Sequence, residues 1–479
     1  MSKKIKFMRD KDIDIINDNL STIIDKALVR KQQLIEPYID EYIKVKSVIM
    51  DFIKDRKRII YGGHAWNELI KSKSPSDAFY KENAYVDVEF YSNKPIEDIV
   101  KLCNILYSKN FKFIQGRSAQ HEDTYTIFVN FEPYCDISYM PSNVFHACMT
   151  ETINGFKLIH PKFILVDILR QFNDPILSYW RMEKTVRRGK LLMNMFPLDL
   201  TNNHKPKNIK IDDKIIDMMT FLIIELEKIK SIMFMGNIAY NTYTNPTINI
   251  YDQITVYDQT PIEIISTKLK DDVFLIYNLI LKYYIDSRKL DQIEDKLTLD
   301  QYYPFFQFTD KHVDYKYNGK IFLTIYGNND ICIPYNIVKL KLNEKTLKIK
   351  IGTFNLLFMF FLIKFHLGYL HNNKDEKQEN DYAMYNLLVS RDKYLDTNDK
   401  TVLDQTIFED FKPDCMGLPV SSNRKMLLMR YNRKLTPKSY IQSYLPEDKK
   451  TYNTDIYNFG NYSANIINNP LDKVYDLKK

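Results

Sequence analysis

The chain has 479 residues, of which 45% are hydrophobic, 27% charged and 14% aromatic, with 35 Tyr and 28 Phe against only 12 Gly. A single core rarely grows past ~250 residues, so two or three domains are expected, and this balance is that of a folded globular protein, which excludes fibrous and disordered classes. The formal net charge of +7 permits a polyanionic partner without requiring one, because binding follows local clusters of charge. Five cysteines (Cys103, Cys135, Cys148, Cys332, Cys415), odd in number and without CxxC spacing, argue against a zinc site or a disulfide framework and for a reducing compartment. The N-terminus, MSKKIKFMRDKD, lacks the apolar core of a signal peptide. The most apolar stretch, Leu356 to Ile363, is cut by Lys364 and His366 and falls short of the ~20 residues of a membrane span, so it is expected as a buried helix, with no membrane partner.

In chain order, apolar residues recur at helical spacing from Asp12 to Lys57 with Pro37 dividing the run, which predicts two helices in an N-terminal segment, residues 1–57. An alternating pattern follows. Strands are predicted at Arg58 to Tyr61, Tyr85 to Tyr91, Phe111 to Gln115, Tyr125 to Phe131 and Tyr134 to Tyr139. Helices are predicted at His64 to Ser72, Pro95 to Lys109 and Pro161 to Phe172. This is a mixed α/β (α+β) domain over residues 58–200. Helical stretches at Ile211 to Met235 and Asp271 to Ile285 lead into strands at Lys320 to Tyr326, Ile331 to Tyr335, Val338 to Leu342 and Leu347 to Ile351, a second domain over residues 201–370. The polar run His371 to Asp381 is expected as a loop opening a C-terminal extension, residues 371–479, for RNA contact or packing. No short-period repeat is visible in the sequence.

Three pieces carry chemistry: Gly62-Gly63 after the strand Ile59-Ile60-Tyr61, the pair Asp87 and Glu89, and Asp136 within YCDIS. Residues two apart on a strand point to one side, so Asp87 and Glu89 project together while Val86, Val88 and Phe90 face the core. Carboxylates so crowded repel one another unless a cation lies between them, and hard oxygen ligands suit Mg²⁺ or Mn²⁺. A neighbouring strand that brings Asp136 alongside would give a three-carboxylate cluster for two ions and in-line attack on a phosphate. The Gly-Gly turn lets backbone approach a triphosphate, and the helix after it offers a positive N-terminus. Singly, a DxE on a strand also fits a solvated strand face, and Gly-Gly a simple turn. The order of the pieces joins them.

Two basic runs complete the set. Arg181, Lys184, Arg187, Arg188 and Lys190 stand against the single acid Glu183, with Arg181, Lys184 and Arg188 on one helical face. These suit either a solvated helix or contacts to a triphosphate and RNA: Lys184 and Arg188 for ATP, Arg181 and Arg187 for RNA. Arg424, Lys425, Arg430, Arg433, Lys434 and Lys438 interleave with Tyr431 and Tyr440, a mix that suits phosphate neutralisation with base stacking, through Arg424, Arg430 and Arg433, and equally an exposed helix. His64 after the turn fits a structural role as readily as substrate contact. No GxxxxGK[ST] or nucleophile motif appears, which removes P-loop hydrolysis and Ser or Cys covalent catalysis.

In this order of strand, small-residue turn, helix, two-carboxylate strand and later third carboxylate, the sequence resembles the nucleotidyltransferase superfamily typified by DNA polymerase β. More narrowly, IIYGG, VDVEFYS and CDISYMPSNVF followed by LIHP resemble the poly(A) polymerase catalytic subunits of African swine fever virus and mimivirus-like giant viruses. The narrower resemblance covers about residues 59 to 195. Gly63 lies 24 positions before Asp87, which implies an insertion around Pro75 to Asn83 that the viral branch shares, and Glu89 stands where Asp is usual, which alters its reach to a metal.

The resemblance implies a polymerase-β-like nucleotidyltransferase domain followed by a second, degenerate one. It implies a template-independent polynucleotide adenylyltransferase that adds AMP from ATP to RNA 3′ ends. Two Mg²⁺ or Mn²⁺ ions would be held by Asp87, Glu89 and Asp136, and ATP would lie on Gly62, Gly63, Lys184 and Arg188. Partners implied are the RNA 3′ end and either a second copy in a homodimer or a cap-methyltransferase-like processivity subunit, in the viral factory of the host cytoplasm or carried in the virion. Two rivals stand beside this: a non-catalytic RNA-binding subunit on a decayed transferase fold, and a nucleotidyltransferase acting on a small molecule or protein.

Overall fold

The computed structural model describes residues 7–35, 38–80, 85–119, 121, 123–201, 213–245, 261–286, 296–328, 331–342, 345–435, 443–448 and 464–467. The chain opens with helices α1 (Asp10–Leu34) and α2 (Ile39–Asp55). The first half then runs β1 (Ile59–Tyr61), α3 (Gly62–Lys73), β2 (Val88–Ser92), α4 (Pro95–Ser108), β3 (Gln115–Ser118), β4 (Thr124–Val129), β5 (Glu132–Tyr139) and α5 (Ser142–Ala147). It closes with the hairpin β6 (Thr150–Ile153) and β7 (Phe156–Ile159), then α6 (Pro161–Phe172), α7 (Pro175–Ser178) and α8 (Met182–Met195).

The second half runs α9 (Asp213–Leu226), β8 (Ile232–Phe234), α10 (Gly236–Thr244), β9 (Ile262–Ser266), α11 (Leu269–Asp286), β10 (Leu297–Tyr302), β11 (His312–Tyr317) and β12 (Lys320–Gly327). The hairpin β13 (Ile333–Leu342) and β14 (Lys345–Gly352) and the helices α12 (Phe354–Leu370) and α13 (Lys374–Asn398) follow, then β15 (Cys415–Met416), α14 (Ser422–Leu435), β16 (Ser443–Tyr444) and β17 (Ala464–Ile467).

Local chemistry explains these elements. Helix α4 starts with Pro95 in its first turn followed by Glu97 and Asp98, and buries Ile96, Ile99, Leu102, Cys103 and Leu106, one stripe at helical spacing. At α6 the His160 side chain accepts from the Lys162 N–H at 3.0 Å, capping a helix that Pro161 begins. Helix α12 is apolar on all sides and nearly all of it is buried, packed against α6 and α5 of the first half and α10 and α13 of the second, so the expected buried helix is the joint of the molecule. Among the described residues no helix is long and apolar enough to cross a membrane.

Two mixed sheets share one plan. Their strand orders are β16-β3-β4-β5-β2-β1-β7-β6 and β17-β10-β11-β12-β9-β8-β14-β13-β15. In each, a short strand ends on a glycine in the left-handed region (Gly62, φ 64; Gly236, φ 53), a helix follows, and the returning strand brings a glutamate against that glycine (Glu89, Glu263). The next turn repeats as well. Ser92 bonds Asp98 and receives the Lys94 N–H, as Ser266 bonds Asp272 and receives the Lys268 N–H. The second half is therefore a structural repeat of the first, as the family resemblance implied.

Several expectations change. Strand β2 begins at Val88, so Asp87 sits just ahead of it, and β3 falls at Gln115–Ser118 rather than 111–115. The two strands expected at 331–342 are one. The run 371–381, expected as loop, is mostly helix α13, started by the Asn373 side chain, which accepts from the Glu376 N–H at 3.2 Å. Against the expectation from cysteine number, Cys332 and Cys415 form a disulfide, because β15 pairs with the start of β13 and brings their Cα atoms to 5.3 Å. Cys103, Cys135 and Cys148 are free.

Candidate active site

The strand registers place the predicted residues. Tyr61 lies opposite Glu89, Glu89 beside Asp136 and Asp136 beside Thr126, so one row crosses β1, β2, β5 and β4 on a single face of the sheet. Thr126 Oγ1 donates to Asp136 Oδ1 at 2.5 Å, and Tyr61 and Ser138 share a hydrogen bond of 2.6 Å on the same face. Burial and then Asp87 push Glu89 up to about 7. Burial pushes Asp136 up to about 6, with the Thr126 hydrogen bond opposing and Asp87 adding to the rise. Asp87 thus adds to the rise of both Glu89 and Asp136.

The glycines are fixed by close approach. A Cβ on Gly62 would lie 1.8 Å from Glu89 Oε2, and one on Gly63 would lie 2.3 Å from the Tyr80 hydroxyl. The Gly63 N–H donates to Glu89 Oε2 at 2.8 Å. A carboxylate of the chain thus occupies the turn where phosphate contact was expected.

Helix α8, with Arg181 just before it, brings cations to this spot. The charge of Arg181 lowers the Glu89 pKa, and Glu89 and Asp87 in turn hold up that of Lys184, which burial and the neighbouring Arg188 and Arg181 depress. Arg188 lies 3.7 Å over the Phe79 ring, with its Nη1 3.4 Å from the Tyr80 hydroxyl, beside Gly63. Arg187 is exposed. Arg424 is exposed in the first turn of α14, and burial raises the pKa of Asp174 at α7 with the charge of the adjacent Lys425 among the opposing contributions. The side chains of Arg430 and Arg433 lie outside the described residues. His64 is buried on α3 and its pKa is lowered to about 4, which makes it a neutral packing residue.

Glu89 and Asp136 on one face, with Asp87 close enough to raise both, suit a hard divalent cation in kind. As the side chains stand, with Glu89 turned onto Gly63, no three His, Cys, Asp or Glu side chains among the described residues converge on a common ion position.

The second sheet shows what the same frame becomes without this chemistry. Register for register, Glu263 takes the place of Glu89, Thr324 that of Asp136 and Asp314 that of Thr126, so acid and threonine have exchanged strands. Pro261 stands two residues before Glu263, where the first half has Asp87. Glu263 is neutralised by Lys364 of α12 at 2.5 Å. Among the described residues the second sheet therefore lacks the acid row of the first.

Residues of this row and its face that sequence reasoning missed are Tyr61, Ser138 and Thr126. Each takes its meaning from a cross-strand neighbour.

The similarities to known proteins fall on the same two halves. A family model described as poly(A) polymerase catalytic subunit matches residues 47–178, and one described as the C-terminal part of the APMV poly(A) polymerase catalytic subunit matches residues 205–478. A protein of Acanthamoeba polyphaga mimivirus that bears the name poly(A) polymerase catalytic subunit is 33% identical over 462 residues, spanning 91% of this chain and 78% of the relative. One of the same name from African swine fever virus (isolate Pig/Kenya/KEN-50/1950) is 31% identical over 158 residues, 32% of this chain and 33% of that relative. The crystal structure of the Megavirus polyadenylate synthase superposes with a TM-score of 0.82 at 31% identity, covering 94% of this chain and 88% of that one.

Proposed function

The chain belongs to the viral poly(A) polymerase catalytic subunits and is a polynucleotide adenylyltransferase, and from that premise we propose that it adds AMP from ATP to RNA 3′ ends with two divalent ions at Asp87, Glu89 and Asp136. The observation that carries this is the row Glu89–Asp136 on one face, raised in pKa by burial and Asp87 and met by Arg181 and Lys184. Mg²⁺ or Mn²⁺ bound there would neutralise the triphosphate and acidify the attacking hydroxyl. Asp136, steadied by Thr126, orients the RNA 3′-OH. Lys184 and Arg188 receive the triphosphate on the Gly62–Gly63 side, so that leaving pyrophosphate carries its charge toward cations. Positioning supplies most of the acceleration.

The non-catalytic rival loses ground because decay has a visible form in this molecule, the Thr324 and Lys364 of the second half, and the first half lacks it. A small-molecule or protein acceptor would need no basic channel. Incubating a labelled RNA primer with each nucleotide separately, with Mg²⁺ or Mn²⁺, and sizing products on a gel tests the reading. Equal use of all four nucleotides, or no extension, would sink it. We place the enzyme in the infected cell's cytoplasm on the family resemblance.

For the partner we propose a second copy bound along α1. That helix contributes nothing to the core and exposes Ile13, Ile16, Leu20, Ile23, Ile24 and Leu28. Its first half carries Asp10, Asp12, Asp14 and Asp18 against Lys11, and its second half carries Lys26, Arg30 and Lys31 against Asp25. Antiparallel pairing of two copies sets the acidic half on the basic half.

A further inference from the structure

The row of the active site does not end at Thr126. Arg117 of β3 lies opposite Thr126, so it stands on the carboxylate face two strands beyond Asp136, about 10 Å at ~4.8 Å per strand. Its guanidinium is stacked 3.8 Å from the centroid of Phe128, the next residue of β4 on that face. The arginine is exposed. Gln115, the other β3 residue on this face, is held by the Ser443 hydroxyl of β16 at 2.7 Å. A planar cation fixed over an aromatic ring presents its remaining edge in a set direction, at less entropy cost than a free side chain.

The position separates donor from acceptor. Gly62, Gly63, Lys184 and Arg188 lie on the β1 side of the carboxylates, and Arg117 lies on the β4–β3 side. In-line transfer sets the leaving pyrophosphate and the attacking hydroxyl on opposite sides of the reacting phosphorus. With the triphosphate toward β1, the acceptor strand must approach over β4 and β3.

The repeat supplies an independent contrast. In the half without catalytic carboxylates the register position of Arg117 is Asp300, buried and paired with Lys316. A cation there accompanies the competent site only.

Resting on the RNA reading above, we infer that Arg117, held by Phe128, is a primer-strand subsite that binds a phosphodiester of the RNA just upstream of the 3′-OH. Arg117→Gln in the full chain, titrated with a labelled oligoadenylate at several salt concentrations, should weaken primer binding roughly tenfold, the worth of one charge-assisted contact. The salt slope should become shallower by up to ~0.7. The KM for primer should rise while that for ATP and the thermal midpoint stay put. Arg117→Lys should keep the slope and recover part of the affinity, and Phe128→Leu should weaken primer binding less than Arg117→Gln does.

Unchanged primer affinity and slope in Arg117→Gln, while the wild-type chain extends RNA, overturns this inference alone. Equal losses for primer and ATP also overturn it, since they would mean general distortion. Failure of the wild-type chain to bind or extend RNA overturns the functional reading itself and this inference with it.

Discussion

The backbone N–H of Gly63 and the Oε2 of Glu89 are 2.8 Å apart, and this bond sets the distance between the strand that carries the acids and the turn that opens α3. Gly62 precedes it at φ 64, with no room for a Cβ beside the same carboxylate. Gly62→Ala must therefore strain the backbone by about 1 kcal/mol and also displace Glu89. Displacing a group at a reacting centre by about 1 Å can cost ~10²-fold. Primer extension by Gly62→Ala should fall by about that factor with only a small drop in the thermal midpoint. Wild-type rates would mean that the turn does not position Glu89 for chemistry.

Glutamates at equivalent positions of the two sheets should answer the same substitution in opposite ways. Glu89→Gln relieves a buried acid whose pKa is raised to about 7, so it should leave stability unchanged or improved and remove tailing. Glu263→Gln strips the partner from Lys364, whose side chain is 24% exposed, and should cost about 2–3 kcal/mol of stability. The Glu263 variant should tail normally per folded molecule. Urea unfolding beside primer extension separates the two, and a reversal of the pattern would show the halves to be assigned the wrong way round.

Asp136→Asn keeps volume and one hydrogen-bond acceptor for Thr126 while removing the charge. Loss of a group that orients or deprotonates the attacking hydroxyl should cost about 10²–10⁴-fold in extension. The fold should survive, because the removed charge was unfavourable in its surroundings. Mn²⁺ should also raise the thermal midpoint of the wild type more than that of Asp136→Asn, a readout independent of catalysis. Equal shifts would remove Asp136 from the metal set.

Acid should destabilise the joint between the halves. His366 of α12 is buried against Phe163 and Phe308, and burial, with a hydrogen bond to the Lys162 backbone opposing, lowers its pKa to about 3. The unfolded chain takes up that proton below ~6.5 and the folded one does not. This contribution to stability is present above pH ~6.5 and is lost progressively as pH falls toward 3. His366→Leu should flatten the stability profile between pH 6.5 and 4, measured by urea unfolding. An unaltered profile would show that other groups, His64 and His312 among them, carry the acid sensitivity.

What could be seen in the sequence was whatever a single element expresses. The phase of Asp87 and Glu89 follows from the two-residue period of a strand, and α12 declares its burial by being apolar on every side. Asp136 was legible through its setting in YCDIS. The repeat was legible only through the family resemblance, because what the two halves share is register: Thr324 beside Glu263 means nothing until β12 pairs with β9. Arg117 is hidden for the same reason. Helix α13 was missed because its first two turns are polar, even at buried Asn380, and its apolar stripe of Ala383, Met384 and Leu387 starts only afterwards. The Cys332–Cys415 pair spans 83 residues of sequence and is joined only by the edge pairing of β15.

Self-association through α1 would bury the exposed Ile16 and Leu20, each about 40–50% exposed in the single chain, at ~25 cal/mol per Å² of apolar area. Opposed acidic and basic halves would fix the antiparallel direction, and that contribution should weaken as salt screens it. Ile16→Asp with Leu20→Asp places charges in the seam and should convert a dimer to a monomer by light scattering coupled to size exclusion. Extension of a short primer should continue in the monomer, because the carboxylate row is complete within one chain. Removing residues 1–34 should give the same monomer. A wild-type chain that is monomeric at every concentration would rule out the second copy and leave the stripe to a different partner, such as a methyltransferase-like processivity subunit. A dimer that survives both changes would place the interface elsewhere on the molecule.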